Sequence, residues 1–211
     1  MNTFFRFISS VLLAVFVMVS VSRAASPSAD DPAPALVANI NAVVDLALGK
    51  TPDEVMTRLP EIRAKMSEMF AVEAIVQRTF GRNWTKLTPA QQTEVTDLLG
   101  RLIIRTYAAQ LTSGERPVIA VTASKQISPD RREIVSTATQ QGKTVNVIYR
   151  LAPIDGKWKV YDVLAENISV VGNYRQQFDA HFQKKSADDL IKVLRDKLAA
   201  PVVLEEEKKE K

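Results

Sequence analysis

The 211 residues contain no cysteine, one histidine and seven glycines, and each shortage removes a class of chemistry. Without cysteine there is no disulfide, no thiolate metal site, no thiol nucleophile and no residue for lipoprotein anchoring. One histidine, His181, cannot build a two-histidine metal site. The scattered glycines form neither a dinucleotide fingerprint nor a phosphate loop, and no G-x-S-x-G elbow occurs. Long apolar runs are also missing, since a bilayer span needs about 18 or more apolar residues and the longest candidate, Ile8 to Val21, is shorter and contains serines.

That candidate reads instead as the core of a secretory signal. Arg6 precedes it, and Ser22-Arg23-Ala24 supplies small residues at the two positions a signal peptidase inspects. Cleavage after Ala24 is expected, with export of the mature protein. Losing Arg6 and Arg23 leaves 26 basic against 24 acidic side chains, a net charge of about +2. The basic character of the whole chain is therefore no sign of a nucleic-acid partner, which needs a concentrated basic face. Residues 25–34, "ASPSADDPAP", are too rich in small residues and proline to bury apolar area and read as a linker. Residues 35–200 suit one domain, and residues 201–211, ending in "EEEKKEK", read as a charged tail.

Helical spacing is clear first. Leu36, Val37, Ile40, Val43, Val44, Ala47 and Leu48 recur at three and four residues, with Gly49 as a stop. Thr51-Pro52-Asp53-Glu54 opens a second helix with a threonine cap, a proline at the first helical position and a carboxylate at the third. Pro60 should break or restart it, after which Ile62, Met66, Met69, Phe70, Ile75, Val76 and Phe80 predict a helical run to Gly81. Thr88, Pro89 and Gln91 form another capping box before a long stripe of Val95, Leu98, Leu99, Leu102, Ile103, Thr106 and Tyr107, expected to end near Ser113-Gly114.

The period then changes from 3.6 to 2. Pro117 to Ser128, Arg131 to Gln140, Lys143 to Leu151 and Lys157 to Ala165 read as four strands, separated by the turns "SPD", "QG" and "PIDG". Short connections imply an antiparallel meander. Two helices follow, Val170 to Lys184 and Ala187 to about Ala199. The predicted class is α+β, a curved antiparallel four-stranded sheet with helices packed on one face.

Three places invite a catalytic or nucleic-acid reading. His181 borders the stripe Val171, Tyr174, Phe178 and Phe182, where a packed or solvated histidine is the simpler account. Asp162 and Glu166 could pair as an acid and a base, but so charged a chain brings carboxylates close without purpose. Trp84 in "FGRNWTKL" sits among basic residues, yet in the turn before a capped helix it reads as a plug over the core. No catalytic residue and no metal ligand is assigned.

The ordered segments "FAVEAIVQRTFGRNWTKLTPAQQTEV", "LIIRTYAAQL", "KWKVYDVLAENISVVGNYRQQF" and "DDLIKVLRDK", from about Phe70 to Lys197, resemble the MlaC or toluene-tolerance family of periplasmic phospholipid carriers. The matching pieces are the G-R-x-W turn, the T-P-x-Q helix, the R-T-Y-A segment, the W-x-V-x-D-V strand and the N-Y-R-x-x-F helix. The resemblance implies a monomeric, non-enzymatic shuttle of an ABC-transport pathway that maintains outer-membrane lipid asymmetry. It also implies an apolar cavity between sheet and helices, no cofactor other than phospholipid cargo, and two partners: an inner-membrane ABC transporter complex and an outer-membrane lipoprotein complex. On that expectation Phe70, Ile75, Leu102, Tyr107, Val147, Tyr149, Val160 and Tyr174 are candidate lipid-binding residues. A hopanoid-type polycyclic lipid as cargo, or a ligand-free adaptor, are the alternatives.

Overall fold

The computed structural model describes residues 31–111 and 114–200. The expected signal peptide, most of the linker, Ser113 and the charged tail lie outside them. Helices α1 (Ala33–Ala47), α2 (Pro52–Thr57), α3 (Leu59–Met69), α4 (Val72–Phe80) and α5 (Pro89–Gln110) come first. Strands β1 (Val118–Ser128), β2 (Arg131–Gln140), β3 (Lys143–Ile154), β4 (Lys157–Ala165) and β5 (Ile168–Ser169) follow, then α6 (Val170–Phe182) and α7 (Ala187–Ala199).

The turns fall where the local chemistry puts them. Gln141 and Gly142, and Asp155 and Gly156, take positive φ as pairs, the conformation a two-residue hairpin needs. Thr51 and Thr88 accept from the backbone N–H groups of Glu54 and Gln91, whose side chains return the bond. A third capping box, Ser186 with Asp189, starts α7.

Three expectations are corrected. The sheet has five strands in the order β1-β2-β3-β4-β5, all antiparallel. The fifth is only two residues long, too short to show a period, and follows the positive-φ pair Glu166 and Asn167. The linker ends earlier than expected, because α1 begins at Ala33. Asp31 fixes its approach: Oδ1 accepts from Ala33 N at 3.1 Å, Ser124 Oγ at 2.7 Å and Arg132 Nη1 at 3.2 Å. Finally, the helical run from Ile62 to Phe80 is two helices. Phe70 is extended (φ −111°, ψ 130°), bridges Val160 in parallel, and Ala71 N donates to Val160 O at 2.9 Å. A strand edge outcompetes helix continuation there, since each main-chain donor needs a partner.

Buried apolar side chains form three clusters. One joins the helices α4 to α7 around Phe80, Val95, Leu99, Phe178, Leu190 and Leu194. One joins α1 to α2, α3 and α5 through Ala47, Val55, Ile62, Ile104 and Ala108. The third lies on the inner face of the curled, open sheet, where Ile134, Tyr149, Leu151 and Val160 meet Ala33, Leu36 and Met69.

Candidate lipid-binding face

Register decides which strand residues share the inner face. Ile134 stands opposite Tyr149, Ser136 opposite Val147, and Arg132 opposite Leu151. Across β3 and β4, Tyr149 faces Val163 and Leu151 faces Val160, while Arg150 faces Asp162. Between those pairs Tyr161 has no partner. This bulge shifts the alternation by one, so that even positions of β4 face inward before it and odd positions after it. Val160 consequently points into the inner cluster, whereas Asp162 supports α6 on the other side.

The structure brings together four of the candidate residues. Tyr149 and Val160 are buried in the sheet cluster, and Phe70 and Val147 pack against it half-buried, beside Ile40, Trp158 and Val163. The break in the α3–α4 run is what delivers Phe70. Leu102 and Tyr174 belong to the helical cluster instead, and Ile75, half-buried on α4, is part of none of the three clusters. Tyr107 lies on α5, but its side chain is outside the described set. Sequence periodicity placed Ile40 on the stripe of α1 without marking it as a candidate, and it missed Trp158 and Val163; inward alternation with Val160 would have found Trp158, while the bulge concealed Val163.

The polar residues that invited a catalytic reading are engaged in holding the fold. Asp162, buried, accepts from Ser169 Oγ at 2.8 Å and Val171 N at 3.2 Å, and lies 3.7 Å from Arg150. Glu166 accepts from Asn146 N at 2.6 Å. His181 is buried, with Nε2 2.9 Å from Ser186 O; since a carbonyl only accepts, that nitrogen donates. Trp84 packs on the helical cluster, edge-on to Phe80 at 5.6 Å. Among the described residues no group of three acidic or histidine side chains could hold a metal ion, and no helix is long and apolar enough to cross a membrane.

The G-R-x-W and N-Y-R segments form one device. Arg175 Nε and Nη2 donate to Arg78 O at 2.9 and 2.6 Å, capping the last turn of α4 from α6. Gly81 makes this possible: its φ is +51°, and a Cβ there would lie 3.2 Å from Arg175 Nε. Asn83, almost fully buried, donates to Asp179 Oδ1 at 2.6 Å and accepts from Lys86 Nζ at 2.8 Å. The motif residues thus join two helices, away from the inner face of the sheet.

Comparison with known proteins agrees with this layout. The family described as MlaC protein matches residues 38–196. The chain belongs to the MlaC family. No curated protein matches significantly. A solved structure, described as the phospholipid-binding protein from Ralstonia solanacearum in complex with a phospholipid, is similar in fold with a TM-score of 0.68 at 23% identity, covering 80% of this chain and 97% of the other. At that identity the likeness establishes the α+β fold alone. The family match is independent of it and spans α1 to α7.

Proposed function

We propose that the protein is a periplasmic carrier that takes up phospholipid on the inner face of its curled sheet and shuttles it between outer-membrane and inner-membrane ABC transporter complexes, so maintaining outer-membrane lipid asymmetry. The observation that carries this reading is the set of half-buried apolar side chains, Ile40, Phe70, Val147, Trp158 and Val163, bordering the buried Tyr149 and Val160 in a member of the MlaC family. The Ralstonia neighbour, similar in fold, is described as holding a phospholipid.

The energetics require such a face and nothing more. Each methylene hidden from water is favourable by about 0.8 kcal/mol, so a two-chain lipid loose in water is disfavoured by tens of kcal/mol relative to a bilayer. A carrier needs to rival the bilayer without exceeding it, since cargo held too tightly is never delivered. An apolar face with a rim does this, and no bond is made or broken.

Native mass spectrometry of the mature protein, with transfer from donor to acceptor vesicles, tests the proposal. One or two lipid masses on the purified protein and protein-dependent transfer are the expected results. A lipid-free mass together with no transfer would overturn it.

A further inference from the structure

The rim of the inner face holds one charged side chain whose hydrogen bonding is incomplete. Arg132 is in register with Leu151 and, two positions from Ile134, shares the inner face. It is only 9% exposed. Its guanidinium lies over the half-buried Trp158, 5.6 Å from the ring centroid. Nη1 donates to Asp31 Oδ1 at 3.2 Å and to Ser124 Oγ at 3.3 Å. Nε is buried and has no partner among the described residues, although a buried donor left unmade is costly. Its charged partner, Asp31, lies two residues before α1, and the ion pair keeps a tenth of each side chain in contact with solvent.

A cation at the edge of an apolar face, with a donor to spare and a counterion supplied by the residues just before α1, fits an amphiphile bearing an anionic phosphate ester. Resting on the carrier reading, we infer that Arg132 is the headgroup-recognising residue, that its guanidinium takes the lipid phosphodiester, and that Asp31 is the counterion the phosphate displaces. Guanidinium and phosphate match as fork and oxyanion pair, while the chains lie along Leu151, Tyr149 and Val147. The device selects glycerophospholipids and gives no advantage to uncharged lipids, polycyclic ones included.

The test offers the delipidated mature protein equimolar dioleoylphosphatidylglycerol and dioleoylglycerol in mixed vesicles and reads the ratio of bound masses. Wild type is expected to favour the phosphatidylglycerol by about tenfold, the scale of one charge-assisted interaction. Asp31→Asn, which removes the competing carboxylate, should raise the ratio. Arg132→Met alone strands a buried carboxylate and endangers folding, so the decisive variant is D31N/R132M, which leaves no unpaired ion; its ratio should fall to near one. A double variant as selective as wild type overturns the inference, as does D31N falling to the level of the double variant. Displacement of phosphatidylglycerol by millimolar inorganic phosphate would assign the site to a free anion and overturn the lipid assignment. Uptake of neither lipid by wild type would overturn the carrier reading itself.

Discussion

His181 illustrates how a residue with chemical potential is absorbed into structure. Buried on the last turn of α6, it donates to the Ser186 carbonyl at the start of α7 and meets Phe182 edge-on, so its ring spans the joint between the last two helices. Glutamine can still donate there. His181→Gln is expected to leave copurifying lipid within about threefold of wild type, while the loss of one well-placed contact lowers stability by about 1 kcal/mol. Lipid mass and chemical denaturation on the same preparation check both. Asp162 contrasts with it, because three groups converge on that carboxylate: Ser169, Val171 and Arg150. Asp162→Ala should destabilise by about 3 kcal/mol, since it leaves the buried Val171 N–H of the first turn of α6 without its acceptor and Arg150 with only Glu133. A melting temperature within a degree of wild type would contradict this account.

Among the elements, caps and turns were legible and long-range interruptions were not. Thr51, Thr88 and the pairs at residues 141–142 and 155–156 act within a few positions of themselves, so their spacing in the sequence is their mechanism. The stop at Phe70 depends on Val160, and the order of Asp31 depends on Arg132 and Ser124; neither partner is visible from the local pattern. For the same reason the candidate site was half legible. Alternation put Val147, Tyr149 and Val160 on one face of the sheet, but the bulge at Tyr161 broke the rule before Val163, and helical spacing could not show that Leu102 and Tyr174 pack among helices and not against that face. Two predictions belong at this scale. Gly81→Ala places a side chain in positive φ and against Arg175, and should cost about 1–2 kcal/mol by denaturant titration. The second concerns acid. The backbone N–H of Ser186, and then its hydroxyl, hold the Asp189 carboxyl below its ordinary value, as those of Thr51 do for Glu54. A depressed carboxyl contributes stability that is present above its unfolded value and is lost as pH falls through the folded one. The difference in melting temperature between wild type and Asp189→Asn should therefore shrink as pH drops below the usual carboxylate range, and constancy down to about pH 3 would refute the cap's role.

At the scale of the whole molecule, three apolar clusters share the work, and substitution by a charge separates wall from core. Val147 is half-buried at the border of the sheet cluster and Val160 is fully buried within it. Val147→Glu can turn its carboxylate to water. It should melt within a few degrees of the delipidated wild type while copurifying lipid falls severalfold. Val160→Glu leaves an ion with no partner and should not yield folded protein. Thermal melts and lipid masses of the two variants decide the matter: a full lipid load on Val147→Glu would move the pocket off this strand.

The junction at Phe70 and Ala71 has a further consequence in the order of folding. The helical segments on either side of it can form early, from local contacts, but the bond to Val160 awaits the last long strand of the meander, with the whole of α5 and β1 to β3 intervening. Closing so long a loop is entropically slow and comes late. A chain emerging amino end first therefore holds its early helices before it has the surface that orients them. Its apolar sheet face is complete as a surface only when nearly all of the domain is present, so an unfinished chain would offer lipid no finished site.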